Sequence, residues 1–427
     1  MTSQHATQPT AVHIDDLATP RLTTIQRMAI RAAEEQQRTV ELSTETVLRA
    51  ARAQTGLTHF GAGDFEGRLS LWLQCAREDQ GLNALGRMSI FADCVRYAAN
   101  RLKLEDLLLR HPQILHEAIQ QPLIVAGLPR SGTTHLVNML AADQRLSAVP
   151  YWEMREPVAP GNEPTPTDAR DDPRYQRAEQ AWQQLDATLP LLKNMHPMDP
   201  AHIHEELELE NLDFSSYNLE WLARVPQWRD YYLAHDQTPH YCYLRKVLQA
   251  IQWQRRQHSD QPVRWVLKSP QHLEQLVPLR NTFADATFVL THREPAAVIA
   301  SIATMLAYGD RLRRTDTDPA GVANYWIERV DTLLRACVRD RAQLPAEQSI
   351  DIRFGDYMQD EMATLADIYR CAGLPFDGPA QQQLQDYQAA NPRNKYGEIR
   401  YALEADFGIA TESLNDRFAF YRERFNL

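Results

Sequence analysis

From Pro122 to Leu140 the chain reads Pro-Leu-Ile-Val-Ala-Gly-Leu-Pro-Arg-Ser-Gly-Thr-Thr-His-Leu-Val-Asn-Met-Leu: a short apolar strand, a glycine-bounded loop, then an amphipathic helix. No other run constrains the fold as strongly. Gly127 and Gly132 let the backbone approach a ligand closely, and the amides of Ser131 to Thr134 point from the new helix terminus at an anion. The run does not fit the nucleotide triphosphatase loop, in which G-x-x-x-x-G is followed by Lys and Ser/Thr; here Thr133 and Thr134 follow. The cation sits inside the loop instead, at Arg130. A guanidinium there can fork onto phosphate or sulfate oxygens without magnesium, which favours transfer from another phosphorylated donor over ATP hydrolysis.

Further strands with charged ends follow. Trp265-Val-Leu-Lys-Ser-Pro-Gln-His272 is an apolar strand ending in Lys268, and Ala286-Thr-Phe-Val-Leu-Thr-His-Arg-Glu-Pro295 is another ending in Arg293. Pro295 suits the first turn of a helix through Ala296, Val298, Ile299 and Ser301 to about Leu306. Arg293 and Ser301 could therefore meet one further anion, a strand-end guanidinium and a hydroxyl about two helical turns in. Short strands that are apolar on both faces, alternating with helices, predict an α/β fold whose central, mainly parallel sheet carries helices on both sides. Ligands then bind at the carboxyl ends of the strands, where Arg130, Lys268 and Arg293 fall.

With these motifs in this order, the chain resembles the sulfotransferases that use 3'-phosphoadenosine 5'-phosphosulfate (PAPS). The resemblance spans roughly residues 40 to 427. It includes Thr55-Gly-Leu-Thr-His-Phe-Gly61, Trp152-Glu-Met-Arg-Glu-Pro157 and Tyr401-Ala-Leu-Glu-Ala-Asp-Phe-Gly-Ile409, which are similar to bacterial members with an added helical N-terminal region. It implies a P-loop-like three-layer fold. Residues 1–120 would form the helical lead-in packed on the core, and 121–427 the α/β domain with a helical insertion at about 155–255.

The resemblance also implies roles. Arg130 and Lys268 stabilise the bridging oxygen and the leaving 5'-phosphate. Gly132, Thr133 and Thr134 hold that phosphate through their amides, with hydroxyls from Ser131 and Thr133. Arg293 and Ser301 take the 3'-phosphate, and Phe354 stands where an aromatic meets the adenine. Lys395, Tyr396 and Arg400 lie in a late basic-aromatic segment of the kind that closes over the donor. No metal is needed. The acceptor is a small molecule, an alcohol, phenol, lipid or amine, and a homodimer is left open.

The general base has several candidates. Glu153 lies in a Tyr-Trp-Glu stretch similar to the glutamate position of relatives with the same Pro-Arg-Ser-Gly-Thr-Thr loop. Relatives that use a histidine two positions after the lysine find Pro270 here, which leaves His272 as a shifted substitute. His196 and Glu205 or Glu206 complete the set, although Glu205-Glu-Leu-Glu-Leu-Glu210 also reads as a solvated charged helix. Trp182, Trp221, Trp228, Tyr231 and Tyr232 could wall an apolar acceptor pocket or simply pack in the core.

Composition narrows the classes. A net charge of −11 disfavours nucleic acid as a partner, so positive charge must be concentrated locally at the donor site. Five scattered cysteines fit neither a disulfide framework nor a zinc site. No apolar run reaches membrane-spanning length, and Met1 to Gln8 lacks a basic segment followed by a hydrophobic one, so the expectation is cytoplasmic. Met1 to about Ala18 is polar and aperiodic and is expected to fray; Pro157 to Pro173 reads as a loop beside the acceptor. A P-loop small-molecule kinase would require Lys after Gly132 and an acidic magnesium ligand; a non-catalytic nucleotide-binding protein would keep the cradle without a base.

Overall fold

A computed structural model describes residues 11–36, 41–159, 168–257, 263–392 and 395–427. Four strands form its sheet: β1 (Leu123–Gly127), β2 (Val266–Lys268), β3 (Thr287–His292) and β4 (Ser349–Arg353). They lie in the order β2-β1-β3-β4, and every pairing is parallel. Strand pleating sorts the side chains. Leu123 and Val125 of β1 join Val266 and Val289 in one apolar cluster, packed on helices Thr133–Leu140, Glu361–Cys371 and Gly378–Ala390. Ile124 and Ala126 face the other way with Leu267, Phe288 and Leu290, against helices Thr238–Arg256, Pro295–Arg313 and Pro319–Asp340. Three layers result, and both faces of the parallel sheet are dry.

The chain runs from β1 outward to β2 and then crosses back to β3 and β4. This reversal opens a crevice between the loops that follow β1 and β3, the place where such sheets bind ligands. The loop at Leu128–Gly132 and the β3 end at Arg293 flank it.

Before β1, the helix Ala84–Arg110 joins two cores. Its Ile90, Cys94, Tyr97 and Leu102 pack with Trp72, Phe214, Trp228 and Tyr232, whereas its Leu104, Leu107 and Leu108 belong to the main cluster. Trp228 and Tyr232 are thus core residues, stacked at 5.4 Å, and do not wall a pocket. The start of the chain also differs from the expectation. Residues 1–10 lie outside the described set, but Ile14 and Leu17 are buried in the main cluster and Val12 pairs with Ile399, so the described part of the segment is anchored by apolar burial. All five cysteines are free thiols. No helix among the described residues is long and apolar enough to cross a membrane.

Candidate active site

The loop after β1 is closed by its own groups. The Ser131 amide donates to the Leu128 carbonyl at 3.2 Å, its hydroxyl donates to the same carbonyl, and Ser131 Oγ lies 3.0 Å from Thr291 Oγ1 on β3. At Gly127 a Cβ would stand 2.0 Å from that threonine oxygen, which is why the strand ends in glycine. Gly132, at φ 84°, begins the helix Thr133–Leu140, and a Cβ there would meet the Phe354 ring at 2.8 Å. Arg130 also adopts a left-handed φ of 65°. An L-residue bears a cost of about 1–2 kcal/mol there, and such strain gathers at functional loops.

Its side chain reaches the helix that follows β3. Arg130 Nε donates to Ser301 Oγ at 3.0 Å, and Arg293 Nη1 donates to the Arg130 carbonyl. The Arg293 guanidinium lies 4.1 Å from the centre of the Phe354 ring. Burial, and then the neighbouring Arg130 charge, lower the Arg293 pKa from its ordinary value. No carboxylate of a described residue pairs with either guanidinium, in a protein whose other buried arginines are mostly paired. Arg130, Arg293, Ser301 and Phe354 thus form one cluster, with Ser301 on Arg130 Nε and Phe354 on Arg293.

Lys268 ends the edge strand β2 and is fully buried. Its ammonium donates to Thr134 Oγ1 at 3.0 Å and pairs with Glu205; its backbone amide, with no strand beyond it, donates to Glu206 Oε2 at 2.6 Å. Two consecutive glutamates therefore hold the two ends of one lysine. Asn138 places them: from the middle of the loop helix it exchanges hydrogen bonds with the backbone of Ile203, both at 3.0 Å. Asn138 was not anticipated from sequence; a polar residue among Leu136, Val137, Met139 and Leu140 was the available signal.

The run Glu205–Glu210 is not a solvated face. Only Leu207–Glu210 forms a helical turn, and the glutamates are buried. Glu208 pairs with Arg96 at 3.0 Å. Glu206 is pushed far above the ordinary carboxyl range by burial and then by Glu210, and Glu210, by burial and then Glu205, is raised to about 8. A carboxyl with a raised folded-state pKa keeps a proton that the unfolded chain releases, so its contribution to stability is lost as pH climbs from about 4.5 toward 8. Glu210→Gln should accordingly raise the melting temperature more at pH 8 than at pH 5; equal shifts in thermal unfolding at both pH values would refute this.

Of the remaining candidates, several have partners of their own. Glu153 pairs with Arg255, whose guanidinium bonds Ser147 Oγ at 2.6 Å and lies over Trp265, at the amino end of β2. His272 is fully buried, accepts from or donates to Tyr241 Oη at 2.9 Å, and lies 3.5 Å from Glu206. Burial, reinforced by Lys268, depresses its pKa to about 3, so the imidazole is neutral. Lys395 reaches Asn391 at 3.3 Å and Arg400 is exposed, with its backbone amide on the Val12 carbonyl. Residues 160–167 of the expected acceptor loop lie outside the described set.

The model of the sulfotransferase family matches residues 122–378, from the start of β1 past β4. The chain belongs to the sulfotransferase family. Sulfotransferase STF1 from Mycobacterium tuberculosis H37Rv is 28% identical, the match covering 88% of this chain and 98% of that one with a TM-score of 0.77. Sulfotransferase STF9 from Mycobacterium avium shares the fold at 22% identity and a TM-score of 0.80, over 91% of this chain and 98% of that one. No curated protein matches. The enzyme is thus a sulfotransferase, a transferase of sulfo groups to a small-molecule acceptor, and no metal-binding cluster occurs among its described residues.

Proposed function

We propose that this sulfotransferase draws its sulfuryl group from PAPS and passes it in line to a hydroxyl or amine acceptor, with Glu205 taking the acceptor proton. The observation that carries the donor reading is the unpaired guanidinium couple Arg130–Arg293, joined to Ser301 and covered by Phe354, beside a helix-opening loop. Two anion sites of that kind fit a nucleotide with a phosphate at each end of its ribose, and the close approach at Gly132 suits a phosphate against backbone amides.

PAPS supplies an activated sulfuryl group when bound. Arg130 and the amides of Gly132, Thr133 and Thr134 hold the 5'-phosphate, Lys268 adds charge where the leaving oxygen develops it, and Arg293 with Ser301 holds the 3'-phosphate. Glu205 is favoured as base because it alone of the candidate carboxylates touches Lys268 Nζ, and Thr134 contacts the same ammonium. The acceptor oxygen or nitrogen forms the new bond to sulfur, the S–O bond to phosphate breaks with its electron pair leaving on phosphate, and the acceptor proton goes to Glu205.

Calorimetric titration tests the donor. 3'-Phosphoadenosine 5'-phosphate should bind tightly and adenosine 5'-phosphate poorly, and Arg293→Ala should weaken the former by about 100-fold while barely affecting the latter. Tighter binding of ATP with magnesium would overturn the proposal in favour of a kinase.

A further inference from the structure

An anion-binding guanidinium is most effective when it is held in place before the anion arrives. Arg293 has little in its own side chain to hold it. Its guanidinium bonds the Arg130 carbonyl, the neighbouring Arg130 is a like charge, and no carboxylate of a described residue pairs with it. Its position is therefore set largely through the chain on either side, at His292 and Glu294.

One element grips both neighbours. Along the helix Ala419–Phe425, Tyr421 Oη lies 2.7 Å from His292 Nδ1, and the Phe425 ring stacks on the imidazole with centres 3.7 Å and planes 15° apart. From the same helix, Arg422 Nε donates to Glu294 Oε2 at 3.0 Å. The second imidazole nitrogen, Nε2, lies 2.8 Å from Asp351 Oδ1 on β4, a carboxylate that Arg341 Nε also bonds at 2.9 Å. Burial opposes ionisation of Asp351, yet the bonds from His292 and Arg341 bring its pKa down to about 2, so it can only accept. Nε2 then carries the ring proton, and Nδ1 accepts from the Tyr421 hydroxyl.

The imidazole cannot turn without losing both bonds. It also joins two strand ends: His292 stands opposite Arg353 in the parallel register, one residue before Phe354, whose ring lies against Arg293. His292 and Tyr421 are fully buried, and an apolar pair would fill the same space without removing two polar groups from water. What the polar pair adds is a fixed orientation beside the phosphate-binding arginine.

We propose that the helix Ala419–Phe425 is a clamp that positions Arg293 through His292 and Glu294, and so sets the preference of the enzyme for a 3'-phosphorylated nucleotide. Tyr421, Arg422 and His292 are positioning residues, acting on the donor through Arg293. The inference rests on the reading of PAPS as donor.

Calorimetric titration of the full chain with 3'-phosphoadenosine 5'-phosphate and with adenosine 5'-phosphate tests it. Tyr421→Phe, which removes one hydroxyl and keeps the ring, should weaken the first nucleotide by about tenfold and leave the second within about twofold. Arg422→Ala breaks a partly exposed pair that adds little to stability, and should weaken the first by about threefold, with Arg422→Lys restoring it. A residue that merely supported the fold would alter both nucleotides alike. Unchanged affinity for 3'-phosphoadenosine 5'-phosphate in both Tyr421→Phe and Arg422→Ala, or equal weakening of the two nucleotides, would overturn the clamp. A wild-type enzyme that binds the two equally well would sink the donor reading itself.

Discussion

Glu205→Gln is expected to cut kcat by about three orders of magnitude while leaving the affinity for 3'-phosphoadenosine 5'-phosphate within about twofold of wild type. The amide has the shape of the carboxylate and can still accept from the Lys268 ammonium, so the geometry of the cradle is kept while the lost ion pair lowers stability. What it loses is the capacity to take a proton from the acceptor. Pre-steady-state turnover, with nucleotide binding measured in parallel, reads both quantities. The contrasting variant is Glu153→Gln. Glu153 is tied to Arg255 beside Trp265, three residues before Lys268 on the same chain segment, and among the described residues its carboxylate pairs with Arg255. Its loss should reduce thermal stability and leave kcat within a few-fold. The opposite pattern, a dead Glu153→Gln and an active Glu205→Gln, would transfer the role of base to Glu153.

Lys268→Met should reduce turnover by at least about 10³-fold, because the ammonium beside Thr134 is the cation placed to meet charge developing on the leaving phosphate oxygen. It should also destabilise the fold. Lys268 is fully buried and Glu205 nearly so, and removing one member of a buried ion pair costs about 3–5 kcal/mol by stranding the other. These two effects can be separated. In the double variant Lys268→Met, Glu205→Gln no charge is stranded, so denaturant unfolding should recover most of the lost stability while turnover stays absent. Recovery of activity along with stability would mean that Lys268 serves the fold alone.

The part of this site that the sequence reveals is the part built locally. A strand, a glycine-bounded turn and a helix follow one another within nineteen residues from Pro122 to Leu140, and Arg293 and Ser301 lie eight positions apart on one strand–helix unit. Their chemistry is readable because their geometry is set by neighbours in the chain. The acceptor side is not of that kind. Glu205 and Glu206 reach Lys268 across more than sixty positions, and they do so because Asn138 grips the Ile203 backbone. Glu153 looks equally suitable in sequence, and only the partner 102 positions away at Arg255 shows it to be occupied. The same holds for the charged run Glu205–Glu210, where alternating Glu and Leu suggest a wet helix. Long-range partners at Lys268 and Arg96, and protons retained on Glu206 and Glu210, allow it to be buried instead.

The central claim is that one crevice, between the loops after β1 and β3, grips both phosphates of an adenosine bisphosphate. A crystal structure of the complex with 3'-phosphoadenosine 5'-phosphate tests it most directly. The account predicts the ribose 3'-phosphate on Arg293 and Ser301, the 5'-phosphate on the amides of Gly132 to Thr134 with Lys268 alongside, and the base against Phe354. A nucleotide bound outside the crevice, or one whose 3'-phosphate points away from Arg293, would contradict it.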